Sequence, residues 1–109
     1  MEYNPDFWCV IKINSDDPHY RVFGSWVSSY SHGSSWRMNS GIIKVEDMGY
    51  YLIFHGSTGS IYRCHKETYG CHHGSQGVLN HYMNQPEVAV VDLLPEDTNW
   101  LEMDWIINT

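Results

Sequence analysis

The most constraining feature of this sequence is a predicted β-hairpin near its middle. Two strand-like runs, Ile42 to Met48 and Tyr50 to His55, flank a turn in which Gly49 can adopt the positive φ that such turns require. Alternate residues of a strand face opposite sides of a sheet, so Leu52 and Phe54 should share one face. Because a Gly/Ser-rich segment lies on each side of this hairpin, we expect a sheet that carries polar loops.

Several other segments have the composition of strands. They are Phe7 to Ile13, Tyr20 to Val27 with Gly24 as a candidate bulge, Ile61 to Lys66, and Val88 to Leu94. The last segment is almost entirely apolar and predicts a central strand buried on both faces. Residues 28 to 35 and 70 to 74 are polar and predict loops.

A single helix is predicted after Ser75, which is a suitable N-cap. Its apolar face would carry Val78, Leu79, Tyr82 and Met83, and Pro86 would end it. Residues 100 to 107 alternate like a strand, although the i, i+4 spacing of their apolar residues also permits a short helix. The predicted fold is α+β, a mainly antiparallel sheet of about six or seven strands with one helix packed on it. The length predicts a single compact domain over residues 1–109.

The charge pattern limits the classes of partner. The net charge of −7 argues against nucleic acid, because phosphate binding needs clustered Lys and Arg. All Lys and Arg lie at or before Lys66, so the C-terminal third is acidic and would either meet a basic partner or form a solvated surface. Aromatic residues make up 15% of the chain, which predicts some of them in a pocket, an interface or cross-strand pairs. No apolar run is long enough for a membrane span, so no membrane partner is expected.

Cysteine and histidine residues cluster between Cys64 and His73. Cys64, Cys71, His72 and His73 are the candidate metal ligands, since thiolate and imidazole suit zinc. No C-x2-C pair is present, however. The alternative interpretation is that Cys64 is a buried free thiol, and this explains the presence of Cys64 equally well. Three cysteines are an odd number, which argues against a disulfide scaffold and favours a reducing cytoplasm. We therefore predict no metal and no other cofactor.

No sequence motif indicates catalysis. A nucleophilic Cys64 or Cys71 would need a histidine aimed at its sulfur from elsewhere in the fold, and adjacency in sequence does not supply one. Neither a nucleophile elbow nor a signature of paired carboxylates is present. The chain is therefore predicted not to be an enzyme.

The strongest candidate site is a pocket for a small phosphorylated ligand. Backbone N–H groups of Gly/Ser loops can bind anions, and Arg37 stands between a stacking ring, Trp36, and an amide, Asn39. The other predicted ligand-binding residues are Ser34, Ser35, Ser57, Thr58, Ser60, Tyr62 and Arg63. Two alternatives stay open: the Gly and Ser residues only form turns, or Arg37 forms a salt bridge with Glu46 or Asp47.

Part of the chain resembles small uncharacterised accessory proteins of tailed bacteriophages. The resemblance lies in Ser35 to Ile42, Tyr50 to Gly56, Gly59 to Lys66, and Tyr69 with Gly70. It implies an anti-defence protein in the host bacterial cytoplasm that binds and disables a host component. Such a protein would bind host defence enzymes or sequester nucleotide-derived immune signals without cleaving them.

These observations predict a non-enzymatic homo-oligomer that sequesters a small nucleotide-like immune-signalling molecule of the host. The first alternative is a protein that inhibits a host defence enzyme through its aromatic and acidic surface. The second is a Cys/His metal-binding domain.

Overall fold

The computed structural model describes residues 1–27, 34–70, 76–83 and 90–106. Eight strands and one α-helix lie within these residues. They are β1 (Glu2–Tyr3), β2 (Phe7–Asn14), β3 (His19–Val27), β4 (Ser34–Met38), β5 (Ile42–Asp47), β6 (Tyr51–Gly56), β7 (Ile61–His65), α1 (Gln76–Met83) and β8 (Val90–Leu93). A single 3-10 turn, Lys66–Thr68, follows β7.

The strands form two four-stranded sheets. Sheet A has the order β1-β7-β6-β5, and sheet B has the order β4-β3-β2-β8. All neighbouring strands are antiparallel except β1 and β7, which are parallel. The described residues thus form a mostly antiparallel fold with one helix. The prediction of a single sheet of six or seven strands is wrong. Alternation identifies strands locally, whereas their division into sheets depends on long-range pairing.

The central hairpin is confirmed as the pair β5 and β6. Gly49 adopts a φ of +87° at its turn, and the backbone N–H of Met48 donates to the carbonyl of Tyr51 over 2.9 Å. Leu52 and Phe54 are buried on one face of β6, as the alternation predicts. The register of this pair shifts between Ile42 and Lys44, so the bulge of the fold lies here.

Gly24 does not form the predicted bulge. It pairs in unbroken register with Trp8 on one side and Arg37 on the other. A Cβ at this position would lie 3.0 Å from Cβ of Pro5, so the close approach of another chain segment accounts for the glycine.

Two apolar layers hold the fold together. The first lies between the sheets and joins Trp8, Val10 and Val22 of sheet B to residues of sheet A such as Phe54 and Tyr62. The second lies between sheet B and α1 and contains Cys9, Ile11, Phe23 and Leu79. Strands β2 and β3 are therefore both buried on two faces, since their alternate residues enter different layers.

The predictions for the C-terminal part of the chain are partly wrong. Strand β8 is an edge strand whose Asp92 and Leu93 are exposed, so it is not the central buried strand that its apolar composition suggested. Residues 100–106 form neither the predicted strand nor the alternative helix. Trp100 and Trp105 instead close the layer between the sheets, with ring planes 5° apart and centroids 6.3 Å from each other. Residue 107 lies outside the described part of the chain.

The helix prediction holds for the residues that are described. Leu79 is buried against sheet B and Val78 is half-buried, while the proposed cap Ser75, the terminator Pro86 and the side chains of Tyr82 and Met83 lie outside the described part. No helix among the described residues has the length and apolar character needed to cross a membrane.

Candidate functional site

A cleft of about 360 Å³ lies where the two sheets meet. We name it the arginine cleft, because Arg37 of β4 and Arg21 of β3 lie in its wall. Sheet A contributes two tyrosines, and the segments that follow β4 and β6 contribute short polar side chains. The described residues that line it are Tyr3, Arg21, Arg37, Met38, Asn39, Ser40, Thr58, Ser60 and Tyr62. They include no carboxylate, imidazole or thiol.

Neither arginine of the cleft is neutralised by a carboxylate within the described residues. The guanidinium of Arg37 lies over the ring of Tyr3, 4.7 Å from its centroid. Nε of Arg21 donates to Nε2 of His19 over 2.8 Å, which leaves its terminal nitrogens without a described partner. The predicted alternative of a salt bridge from Arg37 to Glu46 or Asp47 is wrong. Glu46 contacts His55 and Lys44, and Asp47 contacts Lys66.

Two buried polar atoms beside the cleft lack hydrogen-bond partners among the described residues. Oδ1 of Asn39 accepts a bond of 2.9 Å from the N–H of Val22, which fixes the amide so that Nδ2 is the remaining donor. Asn39 is only 3% exposed, and its Nδ2 is unpartnered, as is Oγ of Ser60. Because an unsatisfied buried polar group costs about 1–3 kcal/mol, these two atoms are available to hydrogen-bond a water molecule or a ligand at the cleft.

A network of hydroxyl groups joins the segment after β4 to the turn after β6. Oγ of Ser40 accepts from Oγ of Ser57 over 2.8 Å and from the N–H of Thr58 over 3.1 Å. It also lies 3.1 Å from Oγ1 of Thr58. The network therefore holds Thr58 at the cleft, whereas Ser57 supports Ser40 from the neighbouring side. Ser60 is held through its backbone, since its carbonyl accepts from the N–H of Gly56 over 2.8 Å.

The aromatic wall of the arginine cleft consists of tyrosines. The rings of Tyr3 and Tyr62 lie 5.0 Å apart at 38°, because their residues pair directly across β1 and β7. Burial raises the pKa of Tyr62 to about 12, while the charge of Arg37 acts in the opposite direction. The phenol is therefore neutral at ordinary pH and can donate a hydrogen bond.

Besides Ser57, three of the predicted ligand-binding residues with described side chains lie outside the arginine cleft. Trp36 stacks on Phe23 with planes 6° apart, on the opposite face of β4 from Arg37. Arg63 lies over the ring of Tyr51 on the outer face of sheet A, 4.0 Å from its centroid. Ser35 is exposed and does not line the cleft, and the side chain of Ser34 lies outside the described part. Of the predicted loop over residues 28 to 35, Ser34 and Ser35 belong instead to strand β4, and residues 28–33 lie outside the described part. A strand turns adjacent side chains to opposite faces.

The metal candidates do not form a site within the described residues. Cys64 is fully buried between the sheets, and burial raises the pKa of its thiol well above the ordinary value. A protonated thiol is a poor metal ligand. Cys71, His72 and His73 lie outside the described part, and no group of three or more potential ligands occurs within it.

A second cleft of about 280 Å³ lies at the opposite end of the layer between the sheets. We name it the aromatic cleft, because its floor contains Trp8, Tyr69 and Trp100. These rings pack against one another with centroids 4.7 to 5.7 Å apart. Glu96 and Asp97 line its rim and form no ion pair within the described residues. The arrangement favours a cationic ligand group.

Four residues of the arginine cleft were missed by sequence reasoning, namely Tyr3, Arg21, Met38 and Ser40. No local motif marks Arg21, which enters the site because the N–H of Val22, next to it in β3, bonds the side chain of Asn39. Tyr3 lies in a two-residue strand that only its parallel pairing with β7 reveals. Ser40 adjoins Asn39 in a polar run, and this position was the sequence signal from which Ser40 could have been predicted.

The chain matches no known protein-family model, and it has no match among the curated proteins or the solved structures. The resemblance to bacteriophage accessory proteins therefore stays a prediction.

Proposed function

We propose that this protein binds a small phosphorylated or nucleotide-like molecule in the arginine cleft. The observation that carries the proposal is the pair Arg21 and Arg37, which line a cleft without a described carboxylate in a chain of net charge −7. An acidic protein repels anions over most of its surface, so a local concentration of unneutralised arginines marks the place where an anion can bind. Guanidinium groups match phosphate in geometry as well as charge.

The function is sequestration rather than catalysis. The described lining supplies guanidinium, amide and hydroxyl donors, but no histidine, carboxylate or thiol that could act as a general base or nucleophile. In line with the resemblance noted above, the ligand is an immune-signalling molecule of a bacterial host, and the protein acts in the host cytoplasm.

The protein works as a homo-oligomer with its clefts at or near subunit contacts. Exposed apolar side chains such as Val27, Ile43 and Leu93 support this part of the proposal, since exposed apolar surface is characteristic of interaction sites. Native mass spectrometry of protein purified from cells with active nucleotide signalling measures the oligomeric state and any bound molecule together.

Calorimetric titration with inorganic phosphate and a panel of linear and cyclic nucleotides tests the proposal. Wild type should bind at least one of these ligands, and Arg37→Ala should lower its affinity by at least about tenfold, or about 1.4 kcal/mol. Arg63→Ala is the matched control, because Arg63 also stacks on a tyrosine but lies outside the cleft. No binding by wild type across the panel, or equal loss in both variants, would contradict the proposal.

A second candidate function is inhibition of a host protein through the aromatic cleft. Glu96 and Asp97 lie at its rim beside the exposed Leu101 and form no ion pair with the part of the chain that the structure describes, and this combination suits a basic side chain of a partner. The double variant Glu96→Lys/Asp97→Lys should then abolish capture of a partner from host lysate, and high salt should slow its association. Glu102→Lys/Asp104→Lys is the control outside the cleft. If partner capture is retained in both variants, the acidic residues form only a solvated surface.

A further inference from the structure

A third cleft of about 280 Å³ adjoins the arginine cleft. We name it the isoleucine cleft, because Ile42, Ile43 and Ile106 line it together with Trp105. Arg21 and Ser40 belong to the walls of both clefts. A molecule bound at the shared wall can therefore extend into each of them.

Hydrogen bonds hold both side chains of the shared wall in place. Nε of Arg21 donates to Nε2 of His19 over 2.8 Å, and Nδ1 of His19 in turn lies 2.8 Å from the carbonyl oxygen of Asp17. Since Nε2 of His19 accepts a hydrogen bond, Nδ1 carries the ring proton and donates a hydrogen bond to this carbonyl. On the other side, Ser57 and Thr58 hold the hydroxyl of Ser40. The shared wall is thus preorganised before any ligand binds.

The two clefts differ in chemistry. The arginine cleft offers two guanidinium groups and Nδ2 of Asn39, which has no partner among the described residues, whereas the isoleucine cleft offers apolar surface. Ile43 and Ile106 remain 46% and 58% exposed, so this surface is open to a ligand. The isoleucine cleft also carries a carboxylate, Asp17, whose oxygens have no hydrogen-bond partner within the described residues. A phosphate would be repelled from Asp17 and attracted to Arg37.

We infer that the arginine and isoleucine clefts form one bipartite site for a nucleoside phosphate. This inference rests on the function proposed above. The phosphate lies against Arg37, with Arg21 beside it, and the nucleoside lies across the shared wall on Ile43 and Ile106. Asp17 accepts a hydrogen bond from a ribose hydroxyl or a base amino group. Each cleft alone is near the lower limit of roughly 300 Å³ for small-molecule pockets, so a ligand that occupies both is better enclosed.

Calorimetric titration with inorganic phosphate, adenosine and the monophosphates AMP, GMP, CMP and UMP tests this inference. The full-length wild type should bind at least one monophosphate at least about tenfold more tightly than inorganic phosphate. Ile106→Ser should weaken that monophosphate severalfold and leave phosphate affinity unchanged, because it removes apolar contact only from the nucleoside end. Arg37→Ala should weaken both. Leu101→Ser is the matched control, since Leu101 is 55% exposed in the same C-terminal segment but lines neither cleft.

The outcomes separate the inference from the proposed function. Equal affinity for phosphate and every monophosphate, with Arg37→Ala weakening all of them, would overturn the bipartite site and leave anion binding intact. An Ile106→Ser variant with unchanged monophosphate affinity and a wild-type melting curve would also overturn it. Absence of binding by wild type to every probe would overturn both the inference and the proposed function.

Discussion

The guanidinium of Arg37 and the ring of Tyr3 come from different sheets, and they meet with the guanidinium carbon 4.7 Å from the ring centroid. Arg37 belongs to β4 at the edge of sheet B, and Tyr3 belongs to β1 at the edge of sheet A. Their contact therefore crosses the seam that opens into the arginine cleft. This contact keeps the guanidinium over the ring, although Arg37 is exposed and unpaired with any described carboxylate.

Replacing Arg37 should affect ligand affinity far more than stability. An exposed cation–π contact is worth about 0.5–1 kcal/mol, so Arg37→Ala should retain a cooperative melting transition close to that of wild type. Arg37→Lys should restore ligand affinity only in part, because an ammonium keeps the charge but loses the planar fork. Thermal melting and calorimetric titration of the two variants measure both effects. Full restoration of ligand affinity in Arg37→Lys would indicate that the ligand interacts with the charge of this residue alone.

Gly56 should tolerate no larger side chain. A Cβ at Gly56 would overlap Oγ of Ser60, which lines the arginine cleft. Gly56→Ala should therefore lower the melting temperature and weaken any ligand of the cleft. Gly77→Ala is the control, since a Cβ there meets nothing within 4 Å and Gly77 lies in α1, where alanine favours the helix by up to about 1 kcal/mol. Equal melting temperatures for the two variants would show that Ser60 moves aside freely.

Cys9 and Cys64 should not react with iodoacetamide in the native protein. Both are 1% exposed or less, and burial raises the pKa of the Cys64 thiol, so little reactive thiolate forms. Peptide mass mapping after brief alkylation should find both thiols unmodified, while the same treatment in denaturant should modify both. Rapid native labelling of Cys64 would place it at the surface, contrary to the packing between the sheets.

Acid should remove two surface ion pairs of the central hairpin. A hydrogen bond to His55 lowers the pKa of Glu46 below its ordinary 4.5, and one to Lys66 lowers that of Asp47 below 3.8. Because the folded pKa of each carboxyl lies below the unfolded value, their contribution to stability is present above those ordinary values. It is lost as the pH falls through the lower folded values.

Melting curves at about pH 6 and about pH 3 measure this loss. Glu46→Gln and Asp47→Asn should each reduce the difference in melting temperature between the two conditions, although modestly, because both carboxylates are accessible to solvent. The exposed Glu102 forms no ion pair within the described residues, so Glu102→Gln should leave the difference unchanged. A larger reduction in Glu102→Gln than in Glu46→Gln would contradict the assignment.

The elements that follow from local sequence were predicted well. The hairpin of β5 and β6 needs only two alternating runs and Gly49, and β2, β3 and β7 carry equally local signals. Part of the cleft lining also followed from the sequence, since Arg37, Asn39, Thr58, Ser60 and Tyr62 were all predicted as ligand-binding residues and all line one cleft. These residues lie in two short polar segments, and the central hairpin brings the segments together.

Features that depend on pairing between distant strands were not predictable. Sequence alternation could not show that β2 rather than β8 is buried on both faces, because that depends on which strands flank it and on the helix that covers it.

By itself, the sequence determined where most strands lie and that donors suited to a phosphate occur around Arg37. Only the tertiary structure decided that Arg21 and Tyr3 join this site and that Trp36 and Arg63 do not. The physical reason is that a strand sets only the alternation of its side chains, whereas the register and sheet assignment decide what each face meets. Val22 of β3 bonds the side chain of Asn39, which follows β4, and Arg21, the neighbour of Val22, lines the same cleft as Arg37.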